Sequence, residues 1–584
     1  MDRENKHLLF NEFPGISTEA WEKKIKTDLK GADYRKKLIT TSDDGIDIKP
    51  YYREEDLEQL PYLRAIPSLV KGMEEVRNWT ICQDIETGND PGEANSRIQN
   101  ALKGGAGAIR MKLLKAKTVN KELISLLLKD VCLKDAELIF QGYLGADAVF
   151  NHLSEILSER GDSPETLKGC LGADPLGKMA ANGIPIAGFD NLARLMKELK
   201  GMMPGMRLID VHGSMFQEAG ATLSGELAFT LSMACEYLSI LSSAGCDPKD
   251  VCESMQVSMA VGPDYFMEIA KLRAFRILWD RIAEAFEVDE SSRRILLHTS
   301  TSEWNLTLYD RHTNILRGTT GAMSAVLGGA DLISVVPFDQ PFGQSSAFSD
   351  RIARNVQIIL RDEAHFGKVL DPASGSYYIE SLTDQIAEKA WDLFRESEAK
   401  KGFRKALESG WIQNHVNLSR GKKLERAASG REHILGTNAY PDFKELIKNQ
   451  LPEEKSEIIS DTDIQPIRPF RLASGYEKLR METEASGKRP RVFLFKHGNP
   501  AWASARATFS ANFFACAGYE ILDPPPVKSV DEGIKKARSL KADLVVLCSS
   551  DEAYVQLAPE VYENLEEDIL FVAVSYTHLR AHET

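Results

Sequence analysis

The sequence predicts an α/β chain: a (β/α)8 barrel of the TIM type, a helical and acidic connection, then a smaller doubly wound parallel sheet. Three observations carry that prediction. Between about residue 78 and residue 340, eight short β-rich runs alternate with helical stretches. From residue 491 a second, shorter series of the same alternation begins. At 584 residues the chain exceeds what one hydrophobic core holds, so about two to four domains are expected.

Residues 1–60 read as an arm. In "FPGISTEAWEKKIKTDLKG", Pro14 and Gly15 precede a helix with Trp21, Ile25 and Leu29 on one face. A tryptophan on a lone N-terminal helix needs cover, from the body of the protein or from a partner chain, and both readings stay open. The barrel unit spans 61–400, including the helices that follow it. Its strands are 79–84, 105–113, 137–142, 167–172, 206–212, 254–260, 294–299 and 331–337, of which 167–172 and 254–260 have the weakest pattern. A barrel of eight such units needs about 250 residues, and a doubly wound sheet rarely uses so many. "KGGAG" at 103–107 precedes a strand and not a helix, so it reads as a turn and not as a phosphate cradle.

Residues 401–489 read as a helical and acidic linker, with a polar, proline-bearing stretch at 450–468. The second sheet unit, 490–573, has strands 491–496, 519–523, 543–549 and 568–573, joined by helices 502–517, 530–541 and 555–566. Sheets of this kind carry about five strands and place ligands at the carboxyl ends. Here the pattern stops after the fourth. The tail 574–584, "VSYTHLRAHET", matches the in-frame translation of a transposase adapter used in sequencing libraries. It is expected to be adapter read-through on a longer natural chain, so His578 and His582 carry no functional weight.

Composition narrows the function. Hydrophobic and charged contents of 43% and 27% are those of an ordinary globular protein. The net charge of −14 argues against nucleic acid as a partner. The start "MDRENKHLLF" lacks a signal-peptide core, and no run approaches the roughly 20 apolar residues of a membrane span. Eight cysteines without a CxxC pair signal neither zinc nor a disulfide framework. Buried reduced thiols in a cytoplasmic protein are the expectation.

The loop after the first strand of the second unit, within "FKHGNPAWASARATF" at 495–509, lies where such sheets bind ligands. It holds Gly498, Asn499, Pro500 and Trp502, with no carboxylate.

In order along the chain, "LPYLR" at 60–64, "RNWTICQ" at 77–83, "QEAGAT" at 217–222, "FMEIAKLRAFRILW" at 266–279, "SDRIARN" at 349–355, "DPASGSYYIESLT" at 371–383 and "LGTNAYP" at 435–441 resemble the methylmalonyl-CoA mutase family. The resemblance covers nearly the whole length. It implies a flavodoxin-like, cobalamin-binding-type second domain, here incomplete, and an isomerase that rearranges acyl-CoA carbon skeletons with adenosylcobalamin. Family catalytic chains supply the cobalt ligand from a D-x-H-x-x-G loop. In that frame Pro500 replaces the aspartate, Trp502 the histidine and Ala505 the glycine. Neither Pro nor Trp ligates cobalt, and the indole occupies space the corrin needs. His497, five residues before the ligand position, is the one nearby imidazole. Cys548 and Ser550 stand at the ends of the family's S-x-L run.

The barrel departs from the family pattern as well. Glu74 replaces a tyrosine that faces substrate and cofactor, and Cys82 replaces an arginine. Met215 replaces the histidine that bonds the thioester carbonyl, and Gln340 replaces a glutamate on the cofactor's adenosyl side. His298 aligns with a family histidine, but the glutamine two residues on is Ser300. His298 and His212 are therefore expected to be structural. Arg273 and Arg276 read either as surface salt bridges or as contacts to an acidic partner. No catalytic, cofactor-binding or metal-binding residue is expected on this chain.

The resemblance thus implies a small, non-catalytic subunit in a heterodimer with a large subunit that carries adenosylcobalamin. Two alternatives remain: an active cobalamin-dependent acyl-CoA mutase with altered cobalt ligation, or a free-standing CoA-binding scaffold. Acyl-CoA binding by the barrel stays open.

Overall fold

The structure, a computed structural model, describes residues 15–58, 60, 79–87, 90–113, 119–142, 145–185, 189–343, 345–447, 462–565 and 571–575. Eight parallel strands close a barrel: β1 (Thr80–Glu86), β2 (Ala108–Lys112), β3 (Glu137–Gln141), β4 (Lys168–Ala173), β5 (Met206–His212), β6 (Met255–Val261), β7 (Leu296–Thr301) and β8 (Leu332–Ser334). Each strand pairs with its neighbour in sequence, and β8 closes on β1 with Leu332 opposite Thr80. All eight predicted strands are present. Helices cover the outside while side chains fill the inside, so most strand residues are buried on both faces.

The weak pattern of β4 has a physical cause. Gly169 and Gly172 adopt φ of 137° and 70°, and a Cβ at these positions would stand 1.9 Å from the Leu138 oxygen and 1.6 Å from the Phe140 oxygen. The strand presses its backbone against β3 and its register against β5 shifts between Cys170 and Ala173, which requires glycine where a strand normally carries branched residues. "KGGAG" is a turn, as expected: Gly104 caps the helix Pro91–Lys103 and Gly105 takes φ 96° before β2.

Before the barrel, helix α1 (Thr18–Asp28) buries none of its residues. Trp21 is 46% exposed and meets Tyr51 at 5.6 Å between ring centroids. The following segment is strapped down, with Ile46 1% exposed in the main core. After the first five barrel strands comes α2 (Leu223–Ser243). Its Ser224 amide donates to Asp44 of the arm at 2.8 Å. The body therefore covers the arm around Ile46 and leaves α1 largely open.

Helices α3 (Tyr265–Ala285) and α4 (Tyr377–Ala399) pack with α2 on the barrel wall. Lys271 of α3, fully buried, bridges Glu226 and Glu268 at 2.5 Å each. Here one sequence-based expectation is corrected. Arg273 and Arg276 are 2% and 8% exposed, so they form neither surface salt bridges nor contacts to a partner. Arg273 joins Glu380 at 2.7 Å and also Asp371. Arg276 joins Asp331 at 2.6 Å and donates to the Ile295 and Gly329 carbonyls. Both arginines face inward because α3 lies flat on the wall, where only paired charges are tolerated.

Helix α5 (Trp411–Ala428) follows, and then the chain returns to the barrel. Ile464 and Ile467 are each 4% exposed, with amides bonded to the Gly183 and Ala180 carbonyls. Residues 448–461 of the expected linker lie outside the described residues. Helix α6 (Ser474–Ala485) is locked to the segment after β7, where Glu477 accepts from the Leu308 amide at 2.6 Å and Glu484 from the Tyr309 hydroxyl at 2.9 Å.

The second unit is a four-stranded parallel sheet ordered β10 (Glu520–Leu522), β9 (Arg491–Lys496), β11 (Leu544–Cys548), β12 (Phe571–Val574). Helix α7 (Pro500–Cys516) connects β9 to β10 and begins two residues earlier than predicted, because Asn499 caps it. Val574 closes β12, Ser575 is buried, and 576–584 lie outside the described residues. Among the described residues, no helix is long and apolar enough to cross a membrane.

Candidate functional site

Inside the barrel, polar side chains from seven of the eight strands join in one network. Asp84 of β1 accepts from Arg110 Nε of β2 at 2.9 Å, pairs with Lys112 at 3.1 Å, and accepts from Ser334 Oγ of β8 at 2.7 Å. His298 of β7 places Nε2 at 3.0 Å from Ser334 Oγ. Its Nδ1 lies 3.3 Å from Arg110 and 3.1 Å from Ser258 Oγ of β6. Ser258 donates to Asp210 of β5 at 2.7 Å, and Asp210 stands 3.7 Å from His212, which contacts Gln141 of β3. Arg110 also donates to Ser300 at 2.9 Å.

Around Asp84 the charges of this layer are paired, whereas Asp210 Oδ2 and Gln141 Oε1 on its far side are buried without a hydrogen-bond partner. Arg110 and Lys112 hold the Asp84 carboxyl far below the usual carboxylate range although burial opposes them. Burial, then the Arg110 guanidinium, pushes His298 well below an ordinary imidazole; burial also lowers His212. Because a guanidinium donates to Nδ1 of neutral His298, the ring proton belongs on Nε2, directed at Ser334.

Cys82, Asp84 and His298 bring three potential ligand atoms within 4.8 Å, which formally suits a metal. The donor set does not. Both Asp84 oxygens receive protein donors, both His298 nitrogens are engaged, and burial pushes the Cys82 thiol up to about 12, so it stays protonated. Two cationic side chains in contact with the cluster oppose a further cation.

At the rim, Gln340 donates to Glu86 at 3.1 Å and Arg97 pairs with Asp350 at 2.8 Å. The space left beside Asp84, Glu86 and Lys112 is about 20 Å³, room for one water.

In the second unit, Gly498 takes φ 82° and turns the chain from β9 into α7. The Asn499 side chain accepts from the Ala501 amide at 3.0 Å, and Pro500 occupies the first helical position, where its missing N–H costs nothing. Residues 500–505 are thus helix. Half-buried Trp502 lies 5.3 Å from the guanidinium of Arg506, which is fully buried, pairs with Asp551 and meets the Tyr554 ring at 4.9 Å. His497 Nδ1 is 3.2 Å from the Val527 oxygen, and Ser549 donates to the His497 carbonyl at 2.8 Å. Buried Cys548 ends β11, and Ser550 caps the next helix.

The sequence profile described as methylmalonyl-CoA mutase matches residues 122–480. A methylmalonyl-CoA mutase small subunit of Porphyromonas gingivalis is 38% identical over 97% of this chain and 93% of its own length. This chain belongs to the methylmalonyl-CoA mutase family. The small subunit of Streptomyces virginiae is 31% identical over 95% of this chain and 91% of its own. A protein named methylmalonyl-CoA mutase from Rhizobium meliloti is 31% identical over 80% of this chain and 69% of its own.

In this methylmalonyl-CoA mutase family member, the site positions flagged in the sequence, Glu74 excepted, now have a place. Cys82 and His298 meet in the lumen network, and Gln340 is at its rim. His212 joins the far side of the network and is half-buried. Met215 is 7% exposed among core residues on the short helix Ser214–Glu218. Glu74 lies outside the described residues, as does most of "LPYLR". The residues at the family's cobalt-ligand loop do not fit cobalt. Pro500, Trp502 and Ala505 offer no lone pair for a metal, and they stand on a helix and not in a loop.

Sequence reasoning missed Asp84, Arg110, Lys112, Asp210, Ser258 and Ser334. A signal existed: "QDIE" at 83–86 and "IRMK" at 109–112 place charges at period two inside otherwise apolar strands.

Proposed function

We propose that this chain is the small, non-catalytic subunit of an adenosylcobalamin-dependent methylmalonyl-CoA mutase. In this reading the heterodimer interconverts methylmalonyl-CoA and succinyl-CoA, and this chain stabilises a large subunit that holds the cofactor. One observation carries the reading. The segment aligned with the cobalt-ligand loop is a capped helix with Pro500, Trp502 and Ala505, whose side chains offer no lone pair to cobalt. The strand order of the second sheet, second–first–third–fourth, supports a flavodoxin-like domain. The lumen supports the same reading, since Asp84, Arg110, His298 and Ser334 are bonded to one another. The chain then works in the cytoplasm, with an arm (1–60), a barrel unit (61–400), a connection (401–489) and a sheet unit (490–573). It contributes no catalytic, cofactor or metal residue, and neither nucleic acid nor membrane is a partner.

Equilibrium dialysis of adenosylcobalamin against the purified chain, alone and mixed with its large subunit, tests this. The expected outcome is no binding alone, one cofactor per heterodimer, and mutase activity in the mixture only. Stoichiometric binding by the chain alone refutes the proposal and directs attention back to His497. Tight association with no large subunit, but with acyl-CoA, would favour a scaffold.

A further inference from the structure

Away from the barrel lumen, the first turn of α2 meets α4 and α5 around a cavity of about 200 Å³. That exceeds the roughly 150 Å³ of an apolar cavity known to take benzene. Its lining divides by chemistry. Phe229 of α2, Leu393 of α4 and Leu418 of α5 form apolar walls. Phe229 is 1% exposed, whereas Leu418 is 66% exposed at the lip.

Besides Asp43 and Thr222, the polar groups come from one stripe of α5: His415, Ser419 and Lys422, with Leu418 between them. Their i, i+4, i+7 spacing puts them on a single helical face. His415 Nδ1 is 3.0 Å from the Trp411 carbonyl and donates to it, leaving Nε2 as an acceptor. Asp43, the carboxylate on the lining, is already held by Arg426 and lies 4.0 Å from Lys423. Lys422 therefore has no acidic partner among the described residues. A concave site with apolar walls and a few convergent polar groups, here half-open at Leu418, suits a small molecule.

We propose that this cavity binds a small monocarboxylate with a compact apolar body. The carboxylate meets the Lys422 ammonium and the Ser419 hydroxyl, and the body lies against Phe229, Leu393 and Leu418. A dicarboxylate would bring a second charge against the apolar wall or toward Asp43, and a CoA ester is too large for the volume. The site is independent of the mutase reading.

The test titrates the chain with benzoate, following heat by calorimetry and the tryptophan emission, since the Trp411 ring lies 4.3 Å from that of His415, tilted at 53°. Benzyl alcohol and benzylamine are the comparison probes. Benzoate is expected to bind saturably at one site, about tenfold tighter than benzyl alcohol, with no binding of benzylamine. Lys422→Gln, an exposed position, is expected to lower benzoate affinity about tenfold, and Leu393→Trp to abolish binding by filling the cavity. The net charge of −14 works against nonspecific uptake of an anion. The proposal is overturned by no saturable benzoate binding up to about 10 mM, by equal or better binding of either comparison probe, or by unchanged affinity in folded Lys422→Gln.

Discussion

The charge pairs of the lumen predict a specific penalty for removing Arg110. The side chain is 4% exposed and contacts Asp84, Ser300 and His298. Arg110→Met leaves the Asp84 carboxylate in the barrel interior with Lys112 at 3.1 Å and Ser334 at 2.7 Å. Removing one partner of a buried pair typically costs about 3–5 kcal/mol, and the remaining lysine places the cost near about 3 kcal/mol. Adding Asp84→Leu and Lys112→Met removes the stranded carboxylate together with the lysine paired to it, so the triple variant should recover about 2 kcal/mol of that loss. Urea unfolding followed by circular dichroism measures both. With a slope of about 3 kcal/mol per molar, the single variant's barrel transition should move down by about 1 M. The pH dependence has a fixed sign. Asp84 is depressed in the folded state, so its stabilisation is present above the unfolded carboxylate value near about 4 and is lost as pH falls further. A single-variant cost under about 1 kcal/mol, or a triple variant as unstable as the single, would refute the reasoning.

Gly172→Ala should prevent the barrel from folding stably, because the new Cβ would stand 1.6 Å from the Phe140 oxygen; native-like thermal unfolding of the variant would contradict this. Burial, and then the neighbouring Glu303 carboxylate, raises Glu218 to about 8. The folded chain thus keeps a proton that the unfolded chain releases, and this group's contribution falls as pH rises from about 4 toward that value. Glu218→Gln should flatten the decline in denaturation midpoint between pH 5 and 8. All eight cysteines are free and only Cys132 is exposed, so a thiol reagent should modify one site quickly in the native chain and all eight after denaturation. Two or more fast thiols would argue that the barrel wall around half-buried Cys235 opens. Gly533→Ala should destabilise the second unit by about 1–3 kcal/mol, since the added methyl meets the Phe495 ring at 2.2 Å. An unshifted midpoint would show that the ring yields.

The alternation of strand and helix was enough to place all eight barrel strands, including β4, because inward apolar runs are a local property of the chain. Residue identity alone likewise decides that the side chains of Pro500, Trp502 and Ala505 carry no metal donor. Only the tertiary structure decided where the charges go. Arg273 and Arg276 read as surface residues because helix periodicity does not say which wall a helix lies on, yet their partners Glu380 and Asp331 lie 107 and 55 residues away. The lumen network is similar: Asp84 and Ser334 are 250 residues apart and meet because the barrel closes β8 onto β1. Such pairs are long-range, and burial makes them obligatory, so they are fixed by closure of the fold and not by any window of sequence.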